Sequence, residues 1–302
     1  MKFELNGLSL ERLLTFCAVV EAGSIKMAAK GDPTRQSQFS RQIKELEEAL
    51  TVKLFDRNGK HLTLNENGRK VALLAQSFLH ELNQVRAANG AVVVSMGAAE
   101  SVLRWVLFPK LDELGRQCPA VRFEFQNLRT LDVISRVQDG TLHFGLVRED
   151  AVPAGLEASF VAEMRYALAL PRVILPRGRA EDVFLLRTLP IGLLSSDGRL
   201  KQGIEDLARA EGFSLNIKLV ADSFTLLIEA APRARCAVVV PEAATSELSS
   251  NQFALICPAE FQKLSRKLCI VWNPKVLALR STLRRVNDSL KRTFAMVAQS
   301  RS

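Results

Sequence analysis

The chain has 302 residues, 48% hydrophobic and 24% charged, with a formal net charge of +9. That length allows two or three compact units with ample core material, and the positive balance favours polyanionic partners. No run of about 18 apolar residues occurs, which excludes a transmembrane helix and gives no membrane partner.

Met1 to Leu10 carries Glu4 and Asn6 and lacks the basic start and apolar stretch of a signal peptide, so a cytoplasmic location is expected. The cysteines (Cys17, Cys118, Cys236, Cys257, Cys269) are scattered and form no Cys-x-x-Cys pair. With only three histidines to help them, no zinc or other metal site is expected, and free thiols are the default.

From the N-terminus, Leu10, Leu13, Leu14, Cys17 and Val20 give a first apolar helix that Gly23 can end. Ser24 caps a short second helix, and Gly31-Asp32-Pro33 breaks the chain. Thr34 is the expected N-cap of a longer helix, on which Phe39, Ile43, Leu46 and Leu50 share one face. Gln36, Ser37, Ser40, Arg41 and Lys44 lie on the other side, a set of short donors and cations suited to base edges and phosphates in a DNA major groove.

Val52–Phe55 and 61–64 alternate like short strands, and Asn58-Gly59 between them signals a hairpin. Arg57, Lys60 and His61 on this hairpin would meet DNA backbone or minor groove. Residues 1–64 thus read as an all-α helix-turn-helix with a wing. Asn65 caps a helix to about Ala88, whose seam of Val71, Leu74, Phe78, Leu82 and Val85 calls for a partner helix, most simply a second copy. Asn89-Gly90 closes this linker, which occupies 65–90.

Strands at Val92–Val94, Val121–Phe125 and Phe144–Val147 alternate with helices at Val102–Leu114 and Leu131–Gln138, a βαβαβ pattern that implies a parallel sheet. A second set has strands at Tyr166–Leu170, Ile191–Leu194, Leu215–Val220 and Ala237–Val240, with helices at Lys201–Ala210 and Phe224–Ala230. A strand at Leu268–Trp272 and a helix from Val276 to about Ala298 follow; the basic run Arg280, Arg284, Arg285, Lys291 and Arg292 on that helix reads as a solvated face. The expected class is α/β, with two lobes in 91–302: one from about 91–165 and 266–302, the other from about 166–265. A cleft between hinged lobes is the usual place for a small ligand. Ser101, Thr130, Ser196 and Ser223, polar groups at strand-to-helix junctions, are expected to line it.

No Gly-x-Ser-x-Gly, Gly-rich phosphate loop or locally paired His emerges, so no enzyme and no cofactor is expected.

Taken together, Phe16, Ala28-Ala29, Gln36, Phe39-Ser40-Arg41-Gln42-Ile43, Leu46-Glu47, Leu50, Leu54-Phe55-Asp56-Arg57 and Leu62-Thr63-Leu64 with Gly68 resemble the LysR-type transcriptional regulators. Phe108-Pro109, Asp139-Gly140 and Val238-Val239-Val240-Pro241 extend the resemblance. It implies a winged helix-turn-helix, a dimerising linker helix and a two-lobed regulatory domain like periplasmic binding proteins. It also implies promoter DNA as partner, assembly as a dimer and then a tetramer, and an unknown small-molecule effector in the cleft.

Carried over by position, Gln36, Ser37, Ser40, Arg41 and Lys44 face DNA, with Arg57 on the wing. Asp32 and Pro33 replace an apolar core residue and a free turn residue, which points to an altered turn, and Arg35 stands where Ser or Thr is usual and adds a phosphate contact. Glu100 and Ser101 occupy the first effector loop, where a carboxylate would repel an anion. His143 stands for a frequent acid, and Arg233-Ala234-Arg235-Cys236 for a Gly-rich turn. Two rival readings follow from these departures and the two-lobed shape: a small-molecule sensor with a degenerate DNA-binding domain, and an enzyme on the two-lobed fold.

Overall fold

The computed structural model describes residues 7–58, 61–86, 92–175, 185–195 and 198–299. The expected residues Lys60 and Ser196, and the boundary at Asn89-Gly90, lie outside this set.

Three helices open the chain. The first, α1 (Leu10–Ala22), is capped by Ser9, whose Oγ accepts from Arg12 N, and ends at Gly23 in the left-handed region. The short α2 (Ile25–Ala28) follows, capped by Ser24. Then α3 (Pro33–Leu50) starts two residues before the expected position: Asp32 is the N-cap, its Oδ1 accepting from Thr34 N at 2.8 Å and Arg35 N at 3.3 Å, and Pro33 takes the first helical position. A capping carboxylate and a proline with pre-set φ both favour a helix start. Asp32-Pro33 therefore builds the turn.

Ile43 and Leu46 of α3 are buried with Phe16 and Leu54, and Phe39 and Leu50 are half-buried at the rim. The sequence pattern missed a polar tie beneath them. Buried Gln42 accepts from Thr15 Oγ1 at 2.6 Å and donates to Glu11 Oε1 at 2.6 Å, fixing α3 on α1.

The expected first wing strand is displaced. Thr51 ends α3 in the left-handed region, and Glu47 then holds the next residues, accepting from Leu54 N and Lys53 Nζ. Pairing begins only at β1 (Phe55–Asn58), antiparallel to β2 (His61–Leu64), with Arg57 opposite Leu62. Asn65 caps α4 (Glu66–Arg86), its Oδ1 accepting from Gly68 N. Gly68 is required here: a Cβ would lie 2.0 Å from Leu54 O.

Lobe 1 contains β3 (Val92–Ala98), α5 (Glu100–Val102), a π turn (Leu103–Leu107), α6 (Leu111–Gln117), β4 (Val121–Asn127), α7 (Thr130–Gln138), β5 (Phe144–Arg148) and β6 (Glu157–Met164). Lobe 2 contains β7 (Tyr166–Pro171), α8 (Leu185–Thr188), β8 (Ile191–Leu194), α9 (Gly198–Ala210), β9 (Ile217–Ala221), α10 (Phe224–Ala234), β10 (Ala237–Pro241) and β11 (Phe253–Ile256). The chain then returns to lobe 1 with β12 (Arg266–Trp272), α11 (Pro274–Leu279) and α12 (Ser281–Gln299).

Each lobe is built on one five-stranded sheet, ordered β4-β3-β5-β12-β6 and β11-β7-β10-β8-β9. The sheets are mixed rather than wholly parallel. In lobe 1, β12 runs antiparallel to β5 and β6, and in lobe 2, β7 runs antiparallel to β10 and β11. The cause is the double crossing at Arg165 and Ser265, which brings strands into each lobe from the cleft side. Glu163 joins the two crossings, accepting from Ser265 Oγ at 2.9 Å and Arg165 Nε at 3.2 Å.

The C-terminal helix is also divided. Asn273 caps α11 with Pro274 at its first position, and Arg280 breaks the helix in extended conformation. Arg280 is buried, unlike Arg284, Arg285, Lys291 and Arg292, which are exposed as expected.

Candidate DNA interface and inter-lobe cleft

The described residues expected to face DNA lie together on α3, apart from Arg57. Arg35, Ser37, Ser40, Arg41 and Lys44 are exposed and Gln36 is half-exposed. Ser37 donates its hydroxyl to Pro33 O at 3.1 Å, so it presents acceptor lone pairs outward. Arg41 and Lys44 make only surface pairs with Glu45 and Glu48, each at 3.7 Å, with about three-quarters of each cationic side chain exposed. Such pairs hold a cation by roughly 0–1 kcal/mol, so both can turn to phosphate or guanine at little cost. The backbone of Arg57 lies on β1, opposite Leu62 of β2.

On α4, Leu74, Phe78 and Leu82 recur every four residues and are 58%, 50% and 37% exposed. Val71 is half-buried, and the side chain of Val85 lies outside the described residues. Among the described residues no element covers this apolar stripe.

The expected effector residues sit at the C-terminal ends of parallel strands. Glu100 and Ser101 open α5 after β3, Thr130 opens α7 after β4, and Ser223 precedes α10 after β9. The structure gives two of them other work. Ser223 Oγ caps α10 by accepting from Leu226 N. Glu100 Oε1 accepts from Thr225 Oγ1 at 2.7 Å across the lobes.

That bond is one part of a latch which sequence reasoning missed. Arg104 donates to Glu247 Oε2 through Nε at 3.1 Å and Nη2 at 2.7 Å, and reaches Thr225 Oγ1 at 3.4 Å. Trp105 Nε1 donates to Glu247 Oε1 at 3.0 Å, and its ring meets Phe224 edge-on at 6.1 Å. The π turn at Leu103–Leu107 carries Arg104 and Trp105. A π turn shifts the side-chain phase of a helix, and none of its residues signals it in a 3.6-residue pattern.

Elsewhere between the lobes lies an open cavity of about 330 Å³. Lobe 1 supplies Arg148, Arg266 and Lys267, and lobe 2 supplies Arg199 and Lys263. Glu149 and Asp150 also line it, whereas Glu100, Ser101, Thr130 and Ser223 do not. Asp150 is paired with Arg199 across the lobes and lies 3.9 Å from Arg148. Glu149 lies 4.0 Å from Lys267.

A polar joint links lobe 1 to the linker helix. His143 sits between the two bodies, its Nδ1 3.0 Å from Ser95 N and its Nε2 2.7 Å from Arg280 Nη1. Arg280 Nη2 also approaches Gln76 O on α4 at 3.5 Å. Gly140, with φ +77°, packs beside Leu73 of α4 where a Cβ would come within 2.7 Å of Leu73 Cδ2.

No group of three or more His, Cys, Asp or Glu among the described residues could hold a metal ion. No helix among them is long and apolar enough to cross a membrane.

A helix-turn-helix with an exposed cationic face, a linker helix with an exposed apolar stripe and a two-lobed α/β body are the parts of a DNA-binding transcription regulator. The family comparisons give the same class: the bacterial regulatory helix-turn-helix model of the lysR family matches residues 10–69, and the LysR substrate binding domain model matches residues 90–295. The chain belongs to the LysR family of transcriptional regulators.

Among its relatives, a probable RuBisCO transcriptional regulator of Synechocystis is 26% identical over 288 residues, covering 88% of this chain and 81% of that protein. A probable hydrogen peroxide-inducible genes activator of Mycobacterium leprae is 24% identical, covering 82% and 84%. Among solved structures, a full-length OxyR variant from Pseudomonas aeruginosa superposes with a TM-score of 0.66 at 15% identity, over 96% of this chain and 95% of that one. Full-length CbnR in complex with its target DNA gives a TM-score of 0.54 at 20% identity, over 95% and 100%.

Proposed function

We propose that this chain is a cytoplasmic, sequence-specific regulator that binds double-stranded promoter DNA and answers to a small-molecule effector between its lobes. Residues 1–64 form the reader, 65–90 the linker and 91–302 the sensor. Arg35, Gln36, Ser37, Ser40, Arg41 and Lys44 of α3 meet base edges and phosphates, with Arg57 and Lys60 of the wing on the backbone. The observation that carries this reading is the grouping of exposed Arg35, Ser37, Ser40, Arg41 and Lys44 on a helix whose opposite face is buried.

The exposed stripe of Leu74, Phe78 and Leu82 supports pairing through α4 into a homodimer, and two such dimers make the tetramer. No catalytic role is assigned. The rival reading of a degenerate DNA-binding domain loses its ground, because Asp32 and Pro33 cap α3 in the ordinary way.

Footprinting on the promoter beside the chain's own gene tests the reading across a salt series. Expected are a discrete protected site, affinity that falls steeply with salt, and a loss of about tenfold or more for Arg41→Ala. Equal affinity for specific and random DNA, with Arg41→Ala unchanged, would overturn it.

A further inference from the structure

The cavity between the lobes carries more information than its position. Among the described residues it is lined by five cationic side chains and two carboxylates, a net charge of +3. The cations come from both lobes, so one ligand held among them would be held by both bodies at once. Like charges gathered in a partly desolvated cleft repel one another, and a bound anion relieves that repulsion while making charge-assisted hydrogen bonds. Arg148, with a side chain 21% exposed, is the most sheltered of the cations for which an ion pair is seen. Gly203 of α9 also lines the cavity and adds no side chain to fill it.

The two carboxylates are outnumbered, and each lies beside cations of the cavity. Asp150 bridges Arg148 and Arg199, and Glu149 lies by Lys267. Asp150 thus supplies, from lobe 1, an anionic group to a guanidinium of lobe 2. The repulsion expected from Glu100 does not arise in this cavity either, since Glu100 does not line it and is bonded to Thr225.

We propose that this cavity binds a small anion carrying two or more negative charges on phosphate or carboxylate groups, gripped by Arg199 and Lys263 of lobe 2 and by Arg148, Arg266 and Lys267 of lobe 1. The inference rests on the effector reading above and names the class of effector. Asp150 competes with the ligand for Arg199, so binding exchanges an internal ion pair between lobes for an external one. Closure of the cleft then depends on the ligand's charge and is weakened by salt.

Calorimetric titration of the full-length protein at low ionic strength tests this, with inorganic pyrophosphate and citrate as anionic probes and glucose as a neutral one. Saturable binding of an anionic probe is expected, at one site per chain and with no heat from glucose. Lys263→Gln and Arg199→Gln should each weaken it by about tenfold or more, and Asp150→Asn should tighten it. Arg122→Gln, which removes an exposed cation of β4 outside the cavity, should leave it unchanged. Binding of pyrophosphate alone identifies phosphate as the recognised group, and binding of citrate alone identifies carboxylate.

Absence of binding by both anions overturns the proposal, as does equal weakening by Arg122→Gln, which would mean diffuse attraction to a basic protein. Promoter footprints recorded for each variant confirm folding and keep the two readings separate. If neither anion binds but a neutral metabolite alters the footprint, the anionic class falls and the effector reading stands.

Discussion

Arg104 and Glu247, 143 residues apart in the chain, meet at 2.7 Å and tie the first helix of lobe 1 to the loop after β10 of lobe 2. Both side chains are 43% exposed, so the ion pair itself contributes only a fraction of a kcal/mol to about 1. The bond from the buried Trp105 ring to the same carboxylate is charge-assisted and worth about 1.5–3 kcal/mol. Trp105→Phe is therefore expected to cost more than Arg104→Gln. Differential scanning calorimetry of the two variants measures this, and equal losses would show that the ring bond adds nothing to the latch.

Gly68 predicts a sharper effect on the reader. An alanine there places Cβ 2.0 Å from a backbone oxygen and 2.7 Å from Leu64 Cδ2, neither of which can yield without moving α4 or the wing. A cost of about 3 kcal/mol or more is expected for Gly68→Ala. Chemical denaturation followed by circular dichroism reads it, and a loss under about 1 kcal/mol would contradict the close packing.

Asp139 gives the pH dependence. Its carboxyl is pushed up chiefly by burial, against the opposing pull of the Thr141 hydroxyl, the Thr141 amide and the charge of Arg136. An acid whose folded pKa is raised costs stability while ionised, and the cost disappears as pH falls through that raised value. Asp139→Asn keeps an acceptor for Thr141 without the charge. It is expected to match or exceed the wild type in stability at pH 7, with the advantage shrinking toward pH 4. An advantage that grows on acidification would reverse the assignment.

The thiols are expected to be sluggish. Burial, and then the charge of Glu21, pushes Cys17 up to about 11, from an ordinary 9.0. That leaves roughly 100-fold less thiolate at neutral pH. Burial also raises Cys236, Cys257 and Cys269. Alkylation by iodoacetamide at pH 7.4, followed by mass spectrometry, should proceed slowly and first at Cys257, which is the exposed one. Rapid modification of Cys17 or Cys269 would refute this.

The reader was legible because its signals are local. Ser9, Ser24 and Gly23 cap where their side chains and φ allow, and Ile43 and Leu46 recur on one face. The start of α3 moved by two residues, since Asp32 and Pro33 compete better for the cap than Thr34, and the first wing strand begins later than expected.

The regulatory strands were legible where apolar runs are continuous, as in β10. The strands β6 and β11 escaped notice: β6 carries acids on a half-exposed edge, and β11 has four residues. The cleft was the least legible part. Polar residues after parallel strands are a fold-level expectation, and Ser223 shows its weakness by serving as a helix cap. Arg104 with Glu247 and Asp150 with Arg199 join residues distant in sequence, and neither member of either pair stands out alone.

The short contact between Arg280 and His143 has a mechanical consequence. Strand β3 reaches His143 through Ser95, His143 reaches Arg280, and Arg280 reaches the backbone of α4 at Gln76. The linker helix is thus riveted to the lobe 1 sheet at Gln76, between Leu74 and Phe78 of its exposed seam. A rotation of lobe 1 is therefore carried along α4 over the roughly 15 Å from Gln76 to Glu66, to the helix-turn-helix that precedes it.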